Sequence, residues 1–132
     1  MVDGLVEVPE EQVSLLLEAG YLYLEMQKPR EAEEVFEGVS ALVPASEVPL
    51  ICLGNLFFSQ GRYERALKFH RRALQKNAGS ALAKAHVGEA LLFLGRRDEA
   101  KSTLQAAAGM ESDGPAAAFA NRLLDGMAAG VV

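Results

Sequence analysis

The chain has no tryptophan, one cysteine, Cys52, and two histidines in 132 residues. A single cysteine cannot form an intrachain disulfide, so nothing in the sequence calls for an oxidising compartment. Cys52, His70 and His86 form no metal-ligand spacing, and no metal or cofactor is expected. Basic residues are in the minority: 13 Lys and Arg stand against 18 Asp and Glu, a formal net charge of -5. A dedicated nucleic-acid binder normally carries a basic excess, so no nucleic-acid partner is expected. Apolar runs fall well short of the ~18 residues of a membrane span. The start, MVDGLVEVPEE, also lacks the basic residues and unbroken apolar stretch of a secretion signal. The chain is therefore expected to be cytoplasmic, with no membrane partner. Phosphate loops and Ser-His-Asp patterns are missing too, which argues against an enzyme.

What the sequence does have is a fixed interval. Gly20, Gly54 and Gly88 recur every 34 residues, as do Ala32, Ala66 and Ala100; Gly61 and Gly95, and Ala73 and Ala107, keep the same step. Between them run stretches with helical periodicity, and no stretch shows strand alternation, so the fold expected is all-α. Residues 1–8 carry no periodic signal and read as a loose lead-in. A first helix is expected from Pro9 to about Met26, with Glu10 and Glu11 at the positive end of its dipole. Only Ser14, Glu18 and Glu25 are clearly polar within Val13 to Met26, as suits a helix contacted from several sides.

Lys28, Pro29 and Arg30 break that helix, and a second follows to Leu42 with Ala32, Val35, Phe36 and Val39 on one stripe. Further helices are expected over about Glu47 to Gln60, Tyr63 to Lys76, Ala81 to Leu94 and Arg97 to Gly109. Ser46 and Ser80 are placed as N-caps, and Gly61 as a left-handed stop. A last helix over 115–129 reads as a cap on the apolar face of the final pair, with Gly130, Val131 and Val132 fraying beyond it. The fourth helix has a basic outer face, Arg65, Lys68, Arg71, Arg72 and Lys76, expected to lie beside the acidic second helix.

In each pair the glycine and the first alanine of the next helix are twelve residues apart, which predicts that Gly20 meets Ala32, Gly54 meets Ala66 and Gly88 meets Ala100 across a close backbone crossing. Glycine inside a helix costs roughly 1 kcal/mol relative to alanine, so three at one interval imply a packing reason. His70 stands where an aromatic would pack and is expected in the core. His86 is expected near the edge of a groove, and Cys52 as a packed thiol.

These residues resemble the tetratricopeptide repeat family, with repeats at Val13–Ser46, Glu47–Ser80 and Ala81–Gly114 in a single domain over 9–129. The matching positions in the first repeat are Leu16, Ala19, Gly20, Tyr23, Ala32, Phe36, Val39 and Pro44. His70, Lys84 and Gln27, the last where the turn glycine would stand, depart from the pattern. The resemblance implies an α-solenoid of three helix pairs whose concave side is lined by the first helix of each pair. Carried onto this chain, that side comprises Ser14, Leu17, Tyr21 and Leu24, then Val48, Ile51, Asn55 and Phe58, then Leu82, Ala85, Glu89 and Leu92.

Members that grip the carboxylate tails of chaperones carry Lys and Asn on this side. Leu17, Tyr21 and Leu24 stand in those places here, so that clamp is not expected. The implied function is a non-catalytic interaction module that takes an apolar extended or helical segment of a protein partner, anchored at Leu17, Tyr21, Leu24, Ile51, Asn55, Phe58, Leu82, Ala85, Glu89 and Leu92. Short three-repeat chains of this style are similar to the class II chaperones of bacterial type III secretion. Two alternatives stay open: the same residues pack internally, or the apolar surface or the end of the stack makes a homodimer.

Overall fold

The computed structural model describes residues 8–132, so the lead-in expected over 1–8 lies outside the described residues apart from Val8. Seven helices follow in order: α1 Glu10–Glu25, α2 Pro29–Leu42, α3 Val48–Ser59, α4 Tyr63–Lys76, α5 Ala81–Phe93, α6 Arg97–Gly109 and α7 Pro115–Ala128. Among the described residues there is no strand, and no helix is long and apolar enough to cross a membrane.

Local chemistry sets the boundaries. Pro29, Pro49 and Pro115 each fall in a first turn, where a missing N–H leaves no bond unmade. Ser80 caps α5 by accepting from the Ala83 N–H at 3.1 Å. Ser46 accepts from the Val48 N–H at 3.2 Å, but α3 starts so that Glu47, not Ser46, holds the cap position. The three tight turns share one geometry. Gln27, Gly61 and Gly95 have φ of 62°, 75° and 82°. The N–H after each reaches back to the carbonyl five residues earlier: Lys28 to Tyr23 at 2.8 Å, Arg62 to Phe57 at 2.9 Å and Arg96 to Leu91 at 3.0 Å. This satisfies helix-end carbonyls in a Schellman-type stop. Gln27 thus takes the left-handed conformation without being glycine.

Helices pack in pairs, α1 with α2, α3 with α4 and α5 with α6, and each pair joins the next through α2 on α3 and α4 on α5. The first helices approach one another, α1 to α3 and α3 to α5, whereas no Cα of α2, α4 or α6 comes within 8 Å of another of that set. One rank is crowded and the other splayed, so the stack curves with α1, α3 and α5 inside and α2, α4 and α6 outside. Helix α7 lies against both α5 and α6, extending the inner rank.

The interval glycines do make close crossings, and the atoms nearest to them are not those of the alanines. A Cβ at Gly20, Gly54 or Gly88 would overlap the side chains of Phe36, His70 and Leu104 respectively. Each is four residues beyond the alanine, one turn further along the partner helix. The glycine therefore makes room for a large side chain against a bare backbone, and Ala32, Ala66 and Ala100 are fully buried.

Two further expectations change. Helix α1 buries only Gly20, and Leu15 and Leu22 are 66 % and 55 % exposed, because α1 is the end helix and no described element packs on its outer side. The C-terminal residues turn back instead of fraying: Gly130 adopts φ 73°, the Val131 N–H bonds Gly126 O at 2.9 Å, and the Arg97 guanidinium donates to the Val132 backbone oxygen at 2.8 Å.

Candidate protein-interaction face

The inner face is built from α1, α3 and α5. At its N-terminal side Leu17 and Leu24 of α1 are half-buried against a core that includes Ile51 of α3. Tyr21, between them, sets its ring edge-on to Phe36 at 5.2 Å between centroids. Its hydroxyl accepts a 2.9 Å hydrogen bond from Asn55 Nδ2. Tyr21 and Asn55 are equivalent residues of successive pairs, so this bond ties α1 to α3 at one level of the stack.

Burial raises the Tyr21 phenol above its ordinary range, and the neighbouring Cys52 adds to the effect while the Asn55 bond opposes it. Burial likewise raises the Cys52 thiol, with the Tyr21 bond opposing. A thiol held protonated is a poor nucleophile.

Ten residues were expected on this face, and the structure divides them. Tyr21 and Leu82 are exposed, at 36 % and 42 %, and Leu17, Leu24, Asn55 and Phe58 are half-buried. Val48, in the first turn of α3, is exposed as well. Ile51, Ala85 and Leu92 are buried. Ile51 lies in the α1–α3 core. Ala85 shares a core with Leu104, Ala107 and Ala120, the last from α7. Leu92 lines a small cleft with Phe93, Val131 and Val132. The accessible part of the face is therefore displaced towards α1 and α3, because α7 and the returning C-terminal residues cover much of the third pair.

Glu89 is turned away from the open face onto His86, with Oε1 3.1 Å from Nδ1 and both side chains largely enclosed. His86 is not at a groove edge. It is stacked on His70 at 4.8 Å, with the ring of Phe119 of α7 tilted against it at 4.9 Å. His70 is buried, both ring nitrogens lack a hydrogen-bond partner, and burial, aided by His86, pushes its pKa down to about 3.

One feature the sequence did not signal is an aromatic cluster at the C-terminal end of α3. Phe58, Tyr63 and Phe93 are mutually in contact, with centroids 4.9 to 5.3 Å apart, and Phe93 remains 44 % exposed. Its members come from three helices, so no single helical period groups them. The outer rank also departs from the charge pairing expected between α2 and α4. The splay keeps these helices apart, and Arg65 and Arg72 lie over the rings of Phe57 and Phe69.

Comparison with known proteins gives two family matches, both described as tetratricopeptide repeat, over residues 57–123 and 17–81. No curated protein matches. Among solved structures, PcrH from Pseudomonas aeruginosa superposes with a TM-score of 0.73 at 24 % identity, covering 92 % of each chain. PcrH in complex with the chaperone binding region of PopB gives 0.72 at 25 % identity, over 87 % of this chain and 94 % of that one. The Yersinia enterocolitica type III secretion chaperone SycD, with a peptide of the translocator YopD, gives 0.76 at 19 % identity over 96 % of each chain. The first TPR of Spaghetti (RPAP3), bound to the HSP90 peptide SRMEEVD, gives 0.74 at 20 % identity over 92 % of this chain and 99 % of that one.

Proposed function

Because the chain belongs to the tetratricopeptide repeat family, we propose that it is a non-catalytic protein-interaction module whose inner face takes an apolar segment of a protein partner. The observation that carries this is the character of the accessible face: Leu17, Tyr21, Leu24, Val48, Phe58 and Leu82 make it mostly apolar, with Ser14 and the Tyr21–Asn55 hydrogen bond as its polar groups. An acidic ligand such as SRMEEVD needs cations along its path. Leu17, Tyr21 and Leu24 supply none. An apolar ligand instead gains by leaving water, at ~25 cal/mol per Å² of surface covered. The similarity in fold to SycD and PcrH supports the narrower reading, a cytoplasmic chaperone that shields an apolar segment of a secreted subunit before export.

The test is anisotropy titration of labelled apolar, near-neutral peptides against the parent chain, Leu24→Glu and Leu82→Glu. Phe58→Glu is a poor probe, because Phe58 supports Tyr63 and Phe93. Each accessible-site change should weaken binding by about tenfold, as expected for ~1.5 kcal/mol of apolar contact replaced by a charge. Equal affinity for all three proteins, or tighter binding of SRMEEVD than of the apolar peptides, would refute the reading.

A second reading rests on α1. Leu15, Leu22 and Met26 form one exposed stripe, opposite the buried Gly20. An apolar stripe on the end helix of a repeat stack suits end-to-end pairing with a second copy. Light scattering on Leu15→Lys/Leu22→Lys separates the two: this variant should abolish any dimer while leaving peptide binding at the inner face intact.

A further inference from the structure

Charge is unevenly spread over the outer rank. Helix α4 carries Arg65, Lys68, Arg71, Arg72 and Lys76 against one acid, Glu64. Helix α2 carries Glu31, Glu33, Glu34 and Glu37 against Arg30. A strongly cationic helix in a chain of net charge -5 is thus flanked by an acidic one. Its cations are only partly used within the fold. Arg71 Nη2 is 3.8 Å from Glu99 Oε2, and Lys76 Nζ donates to the Pro44 carbonyl. Among the described residues, Arg65, Lys68 and Arg72 have no carboxylate within 4.0 Å.

Two of these are already ordered. The Arg65 guanidinium sits 4.4 Å from the Phe57 ring centroid, and that of Arg72 sits 5.1 Å from Phe69. The two rings themselves stack at 5.3 Å. Stacking uses the faces of the guanidinium and leaves its N–H edges for an oxygen ligand, so little further ordering is needed on binding. Beside them the separation of α2 from α4 leaves a cleft of about 350 Å³, lined by Leu50, Leu53, Phe69, Arg72 and Glu37 among others. A second shallow cleft, lined by Glu64, Arg65, Lys68, Phe69 and Arg72, shares Phe69 and Arg72 with the first, so the two form one track along α4.

We propose that the outer face of α4 is a second docking surface, for an acidic peptide segment bearing one large apolar side chain. The carboxylates meet Arg65, Lys68 and Arg72, and the apolar side chain enters the cleft against the half-buried ring of Phe69. The track is no longer than α4, about 21 Å at ~1.5 Å per residue, and acidic α2 lies across the cleft. That confines the occupant to a short segment and works against a nucleic-acid duplex or an anionic membrane, both of which would also meet the glutamates of α2. A second copy docking its own α2 here would bring two convex faces together and cover little area, well below the ~1,200 Å² of a stable interface.

The experiment is anisotropy of a fluorescein-labelled peptide of glutamates around one phenylalanine, titrated with the full chain. Expected are binding that weakens as salt is raised, a loss of about tenfold or more in Lys68→Glu/Arg72→Glu, and a similar loss when the glutamates become glutamines. Arg72→Lys, which keeps charge and fold but loses the stack, should lose several-fold. Leu82→Glu on the inner face should bind as the parent does, so that failure here and failure of the inner-face reading are told apart. Binding unchanged by the charge reversal overturns the proposal. So does tighter binding to single-stranded DNA or phosphatidylserine vesicles than to the peptide, or self-association that the same reversal abolishes.

Discussion

The imidazole of His70 occupies the space that a side chain at Gly54 would need. The two belong to facing helices of the middle pair, and the ring is itself enclosed, with His86 stacked 4.8 Å beyond it. Gly54→Ala must therefore displace a ring that has nowhere to go. Overpacking of this kind costs about 1 to 3 kcal/mol, more than the roughly 1 kcal/mol that alanine returns in helix propensity. Gly38, exposed within α2 with nothing near its missing side chain, is the control: Gly38→Ala should stabilise by about 0.5 to 1 kcal/mol. Urea unfolding of both variants measures the contrast, and equal stabilities would show that the crossing is looser than described.

His70 also makes stability depend on pH. Its pKa falls from an ordinary 6.5 to about 3 because burial opposes the charged ring and His86 adds to the effect. Below the ordinary value the unfolded chain takes up a proton that the folded chain refuses. Stability is therefore lost as pH falls through the window between the two values, by about 2 kcal/mol from about pH 7 to about pH 5. His70→Phe, the residue that Phe36 supplies in the first pair, should flatten this slope. It also removes two buried ring nitrogens without partners, so the variant should be at least as stable as the parent at neutral pH. Thermal melts of both proteins across that range are the check, and parallel curves would contradict it.

Gln27 holds φ at 62° where the two later turns have glycine. A side chain in the left-handed region costs ~1 to 2 kcal/mol, partly offset by the greater unfolded-state freedom of glycine. Gln27→Gly should consequently stabilise by about 0.5 to 1 kcal/mol. An unfolding midpoint at or below that of the parent would count against the turn geometry.

The bond from Asn55 to Tyr21 couples α1 to α3. A double-mutant cycle with Tyr21→Phe and Asn55→Ala should give a coupling of about 0.5 to 1.5 kcal/mol. Additive effects would mean that the bond contributes nothing beyond the packing of the ring on Phe36.

Much of this architecture was legible beforehand because its causes are local. The interval of 34 placed the turns at Gln27, Gly61 and Gly95, and prolines and Ser80 marked helix starts to within a residue or two. The glycines were right as close crossings, but the side chains that come nearest to them, Phe36, His70 and Leu104, were not foreseen. Spacing identifies a bare backbone, but which side chain covers it depends on the tilt and offset of two helices. The inner face was misjudged at Ile51, Ala85 and Leu92 for a related reason. Their places in the repeat are equivalent to those of accessible residues, but neighbours from other helices enclose them.

The order of residues along the chain was enough to determine a stack of paired helices with small groups at each crossing, since a helix records its buried stripe in its own periodicity. How much of the inner face stays open was decided only in three dimensions. That depends on α1 approaching α3, on α7 lying over the third pair and on the outer helices splaying, which place Arg65 and Arg72 on phenylalanine rings rather than on glutamates. Such contacts join residues from separate elements, and no single stretch of sequence carries their geometry.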